Sequence, residues 1–135
     1  MLTYLIVGIA GGILFVILDF VLNVNPLAQR LSEPYRPLAR TALPMAAAVA
    51  IDILSSLVMA GIFLLLRPSF PGDPLIGAGI SFGLLAWFFR VVMYAASQWV
   101  MFNVPVQALV YSLVTGLGEM LVLGLLYGLT LKPAA

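Results

Sequence analysis

Apolar positions run along this chain almost without a break, and the interruptions are few: Asn25-Pro26, the stretch from Arg30 to Arg40, Arg67 to Pro74, and Asn103 to Pro105. Between them lie residues 2–24, 42–66, 75–102 and 106–131. Each has the length of about 20 mostly apolar residues that carries a helix across about 30 Å of hydrocarbon. Runs such as Ile62 to Leu66 do not alternate, which excludes the pattern of barrel strands. The pattern predicts an all-α integral membrane protein, a four-helix transmembrane bundle forming one domain over residues 1–135. The first stretch reads as a mature helix rather than a signal peptide. It lacks a basic leading region and continues into Asp19 and Asn23 where a small-residue cleavage site would stand.

The breaks have chemical causes. Asn25-Pro26 stops the first helix, because proline disfavours helical geometry in the residue before it and donates nothing to the ladder. Asp73-Pro74 reads as a cap followed by proline at the first helical position, and Asn103 with Pro105 is expected to open the fourth helix similarly. The third stretch exceeds a perpendicular span, so it tilts or protrudes. In the connection 26–41, Leu27, Leu31, Tyr35 and Leu38 fall near helical spacing, with Arg30, Glu33, Arg36 and Arg40 between them. That pattern predicts a segment lying along the interface, broken by Pro34 and Pro37, with Arg30, Arg36 and Arg40 available to anionic lipid head groups.

Orientation follows from Lys and Arg near the spans. Arg30, Arg36 and Arg40 stand on one side, Arg67 and Lys132 with the terminal amine on the other. The Arg-rich connection is therefore expected in the cytoplasm and both termini outside, in a bacterial-type inner or cytoplasmic membrane. Trp99 and Tyr35 on one side, with Tyr4, Phe70 and Tyr127 on the other, are expected as interfacial anchors.

Composition narrows the function. Of 135 residues, 64% are hydrophobic and 8% charged, with a formal net charge of +1, which excludes a water-soluble domain, a disordered chain and a nucleic-acid binder. There is no cysteine and no histidine. Thiolate metal sites, disulfides, His-ligated haem and His-based triads are excluded with them. No cofactor, metal or catalytic residue is expected, and the chain reads as a non-enzyme.

Each span nevertheless carries one ionisable residue: Asp19, Asp52, Arg90 and Glu119. A charge near the bilayer centre costs about 2.5–3.5 kcal/mol even on the gentler insertion scale, so each needs a partner, water or a neutral form. Polar and small residues recur around them at helical spacing. The first helix aligns Gly8, Gly12, Asp19 and Asn23, and the second sets Asp52 beside Ser55, Ser56 and Met59. The third aligns Gly79, Gly83, Ala86, Arg90, Tyr94, Ser97 and Gln98, and the fourth Tyr111, Ser112, Thr115, Glu119 and Tyr127. Turned inward, these stripes make Arg90 the expected hub, pairing with carboxylates. Asp52, Arg90 and Glu119 lie roughly 15–20 Å in from the Arg-rich side and Asp19 shallower. With three acids against one arginine, at least one acid is expected to hold a proton, Asp52 or Glu119 before Asp19.

Gly8-x-x-x-Gly12, Gly79-x-x-x-Gly83 and Gly124-x-x-x-Gly128 predict close helix packing. Setting Asp19 against Arg90 aligns Gly8 with Gly79 and Gly12 with Gly83, and setting Asp52 against Glu119 aligns Gly61 with Gly128. That register suggests a parallel repeat of two helical hairpins. Two functional readings stay open. One is a non-enzymatic subunit of a homo-oligomer or larger membrane complex, with a buried Asp/Arg/Glu network that fixes its packing. The other is a small proton- or cation-coupled transporter or channel using the midplane acids.

Overall fold

The computed structural model of the protein describes residues 1–38 and 44–131. Arg40, the start of the second stretch at Ala42, and Lys132 lie outside the described residues. The chain forms α1 (Leu2–Val24), α2 (Pro26–Leu31), a 3-10 turn at Glu33–Leu38, α3 (Met45–Leu66), α4 (Ile76–Trp87), α5 (Met93–Met101) and α6 (Val106–Thr130). A π-helical turn, Phe88–Val92, joins α4 to α5 in one rod from Ile76 to Met101. Four helices are long and apolar enough to cross a membrane, so this is a small all-α polytopic membrane protein built as a helical bundle. Outward positions such as Ile6, Ile9, Ile13 and Ile17 on α1 are exposed apolar residues, as a lipid-facing surface requires.

Two side chains shape the ends of these helices. Asn25 takes an extended backbone after α1, and its Nδ2 donates to Val21 O at 3.2 Å and Leu22 O at 2.8 Å. Its Oδ1 accepts from Ala28 N at 2.8 Å, so one amide closes α1 and opens α2, with Pro26 in the first turn. At the other end of the bundle Gly72 turns the chain with φ +90, a conformation that glycine alone adopts without strain. The Asp73 carboxylate then accepts from Leu75 N (2.9 Å), Ile76 N (2.8 Å) and Gly77 N (3.1 Å). Asp73 thus caps α4, which begins at Ile76 rather than at Pro74. Asn103 does not cap α6: Pro105 occupies the position before the first turn, and no side chain bonds to that helix start.

The helices pair as two antiparallel hairpins, α1 with α3 and α4–α5 with α6, and α1 also packs on α6. Glycine sets how closely each pair approaches. A Cβ on Gly12 would come within 2.5 Å of Ile53 Cα, one on Gly79 within 2.6 Å of Gly124 O, and one on Gly83 within 2.8 Å of Met120 O. Gly8 sits against Leu57, and Gly128 against Leu75 O. Between the hairpins lies an aromatic core of Phe63, Phe70, Phe82 and Tyr127, with Phe63 and Phe82 edge to face at 5.4 Å. Tyr127 is therefore not an interfacial anchor. It is fully buried, and its hydroxyl is held by Ser56, Oγ to Oη at 2.6 Å and Oη to Ser56 O at 3.0 Å.

Arg67 closes the C-terminal end of α3. It is buried, its Nη2 donates to Pro74 O at 2.6 Å, and its guanidinium stands 5.6 Å from the Phe63 ring centre. The connection after α1 folds back on the bundle: α2 buries Ala28 while leaving Leu27 exposed, and Tyr35 Oη donates to Gln98 Oε1 at 3.1 Å. It packs over α5 and α6.

Two outcomes follow. Gly124→Leu forces side-chain atoms into Gly83 Cα, 3.1 Å from the site of a Cβ, and is expected to cost about 1–3 kcal/mol or more in a thermal melt. Gly118→Ala, with nothing within 4 Å of a Cβ, is expected to melt no lower than wild type. The backbone donors of Leu75 and Ile76 hold the Asp73 carboxyl below its ordinary value of 3.8. Its capping contribution is complete above the ordinary carboxylate range and is lost as pH falls through the lowered value. Thermal stability between about pH 5 and about pH 2 should therefore fall less steeply in Asp73→Asn, which caps without titrating.

Candidate functional site

The glycine contacts fix which polar residues meet. Gly11 of α1 lies against Tyr127 of α6, so eight residues further along α1 and eight back along α6 bring Asp19 level with Glu119. Gly12 lies against Ile53 of α3, and helical side chains lean toward the N-terminus of their own helix. In an antiparallel pair that lean turns Asp19 and Asp52 toward each other. The Asp19 carboxyl accordingly stands within hydrogen-bonding reach of both Glu119 and Asp52, with Arg90 near enough to act on all three through its charge. The three acids form a row with Asp19 in the middle. Among the described residues no group of three acids converges as metal ligands do.

This arrangement corrects the depth read from the sequence. Asp19 is not the shallow member, because α1 ends early at Val24 while α6 begins at Val106, thirteen residues before Glu119. The difference is filled by Asn25 and α2. Tyr111 Oη donates to Leu22 O at 2.5 Å and accepts from Asn25 Nδ2 at 2.8 Å, which ties the end of α1 to the flank of α6.

Arg90 is not the hub of an ion-pair network. Among the described residues the one ion pair is Arg36 with Glu33, at 2.8 Å and exposed. The Arg90 guanidinium instead lies over the ring of buried Phe15, 4.3 Å from its centre, a cation–π contact in place of a carboxylate. The cause is the π-helical turn, in which Arg90 is the middle residue. A π turn spends an extra residue, so everything after it rotates relative to an unbroken α-helix. Gly79 and Gly83 face inward as expected, but beyond the turn the inward positions are Val91, which packs on Gly116, and buried Ala95, with Tyr94 and Ser97 exposed.

The remaining polar positions separate into two groups. Asn23 Nδ2 donates to Asp19 O at 2.8 Å, Thr115 Oγ1 to Tyr111 O at 2.8 Å, and Gln98 Nε2 to Tyr94 Oη at 2.9 Å. These residues line a chain of cavities of about 200, 270 and 360 Å³ that share Tyr94 and open beside Tyr35, Gln98 and Asn103. The innermost one ends on Glu119 and Arg90. Ser55 and Ser56 belong elsewhere: Ser56 is sealed against Tyr127, while Ser55 lines a larger apolar groove of about 680 Å³ between α3 and α4. Arg90 borders both the polar cleft and this groove. Phe15, the ring beneath Arg90, escaped the reading of the sequence, although its spacing of four from Asp19 places it on the same face.

Removing the Tyr111 hydroxyl tests the wall of the cleft. Tyr111→Phe is expected to cost about 1 kcal/mol, and the double variant with Asn25→Ala less than the two single losses added, because the residues share one hydrogen-bonded unit. Thermal melts of the three variants in detergent read this. Compared with family models, curated proteins and solved structures, the chain matches none, so the site stands on its own geometry.

Proposed function

We propose that this is a non-enzymatic membrane protein whose carboxyl row takes up and releases a proton or a small cation through the polar cleft, as a small transporter or channel does. The observation that carries this reading is Glu119 at the inner end of that cleft, with Asp19 within hydrogen-bonding reach of both Glu119 and Asp52. Two carboxyls bond to each other only with a proton on one of them. In a low-dielectric surrounding like charges at such separation repel strongly, so the charge on one acid governs the proton on the next. Arg90, with its ring partner on Phe15, offsets negative charge in the row without closing it into a salt bridge. Asp19, Asp52 and Glu119 hold the transported ion in this reading, Arg90 tunes them, and Asn23, Thr115 and Tyr94 line the way in.

A second reading makes the chain a subunit of a homo-oligomer or larger membrane complex. The open flank between α3 and α4 supports it, since another helix would close that flank. The two hairpins are further proposed to be parallel copies of one ancestral unit. An offset of 71 residues carries Gly8, Gly12 and Asp19 onto Gly79, Gly83 and Arg90, and one of 67 carries Leu57, Ile53 and Asp52 onto Gly124, Met120 and Glu119. The contacts follow the same correspondence, Gly8 on Leu57 as Gly79 on Gly124, and Gly12 on Ile53 as Gly83 on Met120. The orientation with the connection in the cytoplasm is retained as a proposal, with Arg30 and Arg36 exposed there toward anionic lipid.

The test is ion flux in proteoliposomes under an imposed potential, read with a pH-sensitive dye and repeated with sodium and potassium. Glu119→Gln, Asp19→Asn and Asp52→Asn are expected to fold and to lose at least about tenfold of the wild-type flux, the size of a 1.4 kcal/mol effect. Wild-type flux no greater than that of empty vesicles, or full flux in all three variants, overturns the reading. Native mass in gentle detergent then decides the second.

A further inference from the structure

We propose that the groove between α3 and α4 binds a long-chain carboxylate, its apolar chain lying along the groove and its anionic head on Arg90. The groove opens to the lipid-facing side between α3 and α4, which touch through Phe63 and Phe82 but lack the extended packing that joins α1 to α6. Its volume of about 680 Å³ falls within the range of small-molecule sites, about 300–1,000 Å³. From Leu54 to Leu66 its α3 wall runs about 18 Å at 1.5 Å per residue, the extent of an extended chain rather than of a compact ligand. Val58, Ile62, Phe82 and Ala86 make it apolar, and the polar side chains on it are Ser55 and Arg90.

Charge complementarity selects the head group. Arg90 is exposed and makes no ion pair among the described residues; its one fixed partner is the neutral ring of Phe15. A guanidinium carries five donors in a planar fork, and a carboxylate meets two of them at once. Asp19, Asp52 and Glu119 act on Arg90 through charge but form no ion pair with it among the described residues, which leaves the fork open. A head group drawn to Arg90 also reaches the polar cleft, which ends on the same side chain. The amphiphile is thus matched along its length, hydrocarbon to the groove and anion to the cleft. The proposal does not rest on ion uptake by the carboxyl row.

A photoactivatable diazirine fatty acid in proteoliposomes tests it, with the diazirine alcohol of equal length as the uncharged control and peptide mapping as the readout. The fatty acid is expected to label α3 and α4 around Val58, Ile62 and Ala86, and unlabelled oleate to compete that labelling away, while the alcohol labels without competition. Arg90→Gln should lower the competable labelling at least tenfold. Val58→Trp, an exposed position that fills the groove without entering the core, should do the same, and Ile51→Trp, exposed on α3 outside the groove, should not. If Arg90→Gln fails to fold, Val58→Trp and the oleate competition still decide. Labelling of α1 around Ile9 and Ile13 equal to that of the groove, or indifference to oleate and to Val58→Trp, overturns the proposal. So does protection of the groove by a second copy, seen as α3-to-α3 cross-links in place of labelling. Flux and labelling are separate readouts, so either reading can fail without the other.

Discussion

The approach of backbone to backbone at a handful of glycines is the constraint from which the rest of this molecule follows. In hydrocarbon there is no hydrophobic drive to bring helices together, so contact has to be made attractive by closeness. Gly12 on Ile53 and Gly79 and Gly83 on Gly124 and Met120 supply that closeness, and each contact also fixes a register. Once Gly12 lies against Ile53 and Gly11 against Tyr127, Asp19 has no freedom in its neighbours: Asp52 leans toward it from α3 and Glu119 stands level on α6. The acids are not sought out by one another. They are delivered together by small residues two turns away.

The same register leaves the two interfaces between hairpins unequal. On one side α1 and α6 are tied by Tyr111 with Leu22 and Asn25, while Tyr127 of α6 reaches across to Ser56 of α3. On the other, α3 and α4 stand apart along most of their length. The π turn at Phe88–Val92 lies at the head of that opening and places Arg90 where polar cleft and apolar groove meet. A π turn sacrifices regular hydrogen-bond geometry, and such turns are concentrated where helices carry function.

Much of the architecture was legible in the order of residues. Proline and asparagine marked the end of α1, aspartate the start of α4, and the small-x-x-x-small pairs the helix contacts, because each of these is a local rule with a local cause. The four ionisable positions stood out for the same reason, as an energetic cost visible in one residue at a time. What escaped depends on relations between distant segments. Periodicity assumes 3.6 residues per turn throughout, so it carried the inward stripe of the third span straight through Arg90, Tyr94 and Ser97, where the π turn shifts it to Val91 and Ala95. A tyrosine near a span end reads as an anchor, but Tyr127 is drawn into the core by Ser56, 71 residues away. Depth counted from the Arg-rich side failed because α1 ends at Val24, soon after Asp19, and Asn25 and α2 carry the chain on against the flank of α6.

Arg67 gives the open flank a mechanical character. By gripping Pro74 O while lying against Phe63, it rivets the end of α3 to the approach of α4 across the short turn between them. The two helices are fastened at that end and free of each other toward Arg90, in the manner of a clothes peg. Widening of the flank is then a rotation about the rivet, with displacement growing along the lever arm and greatest at the end where the guanidinium of Arg90 sits. A substitution at Arg67, about four helical turns from Asp52 along α3, changes the stiffness of that lever and not the chemistry at its tip.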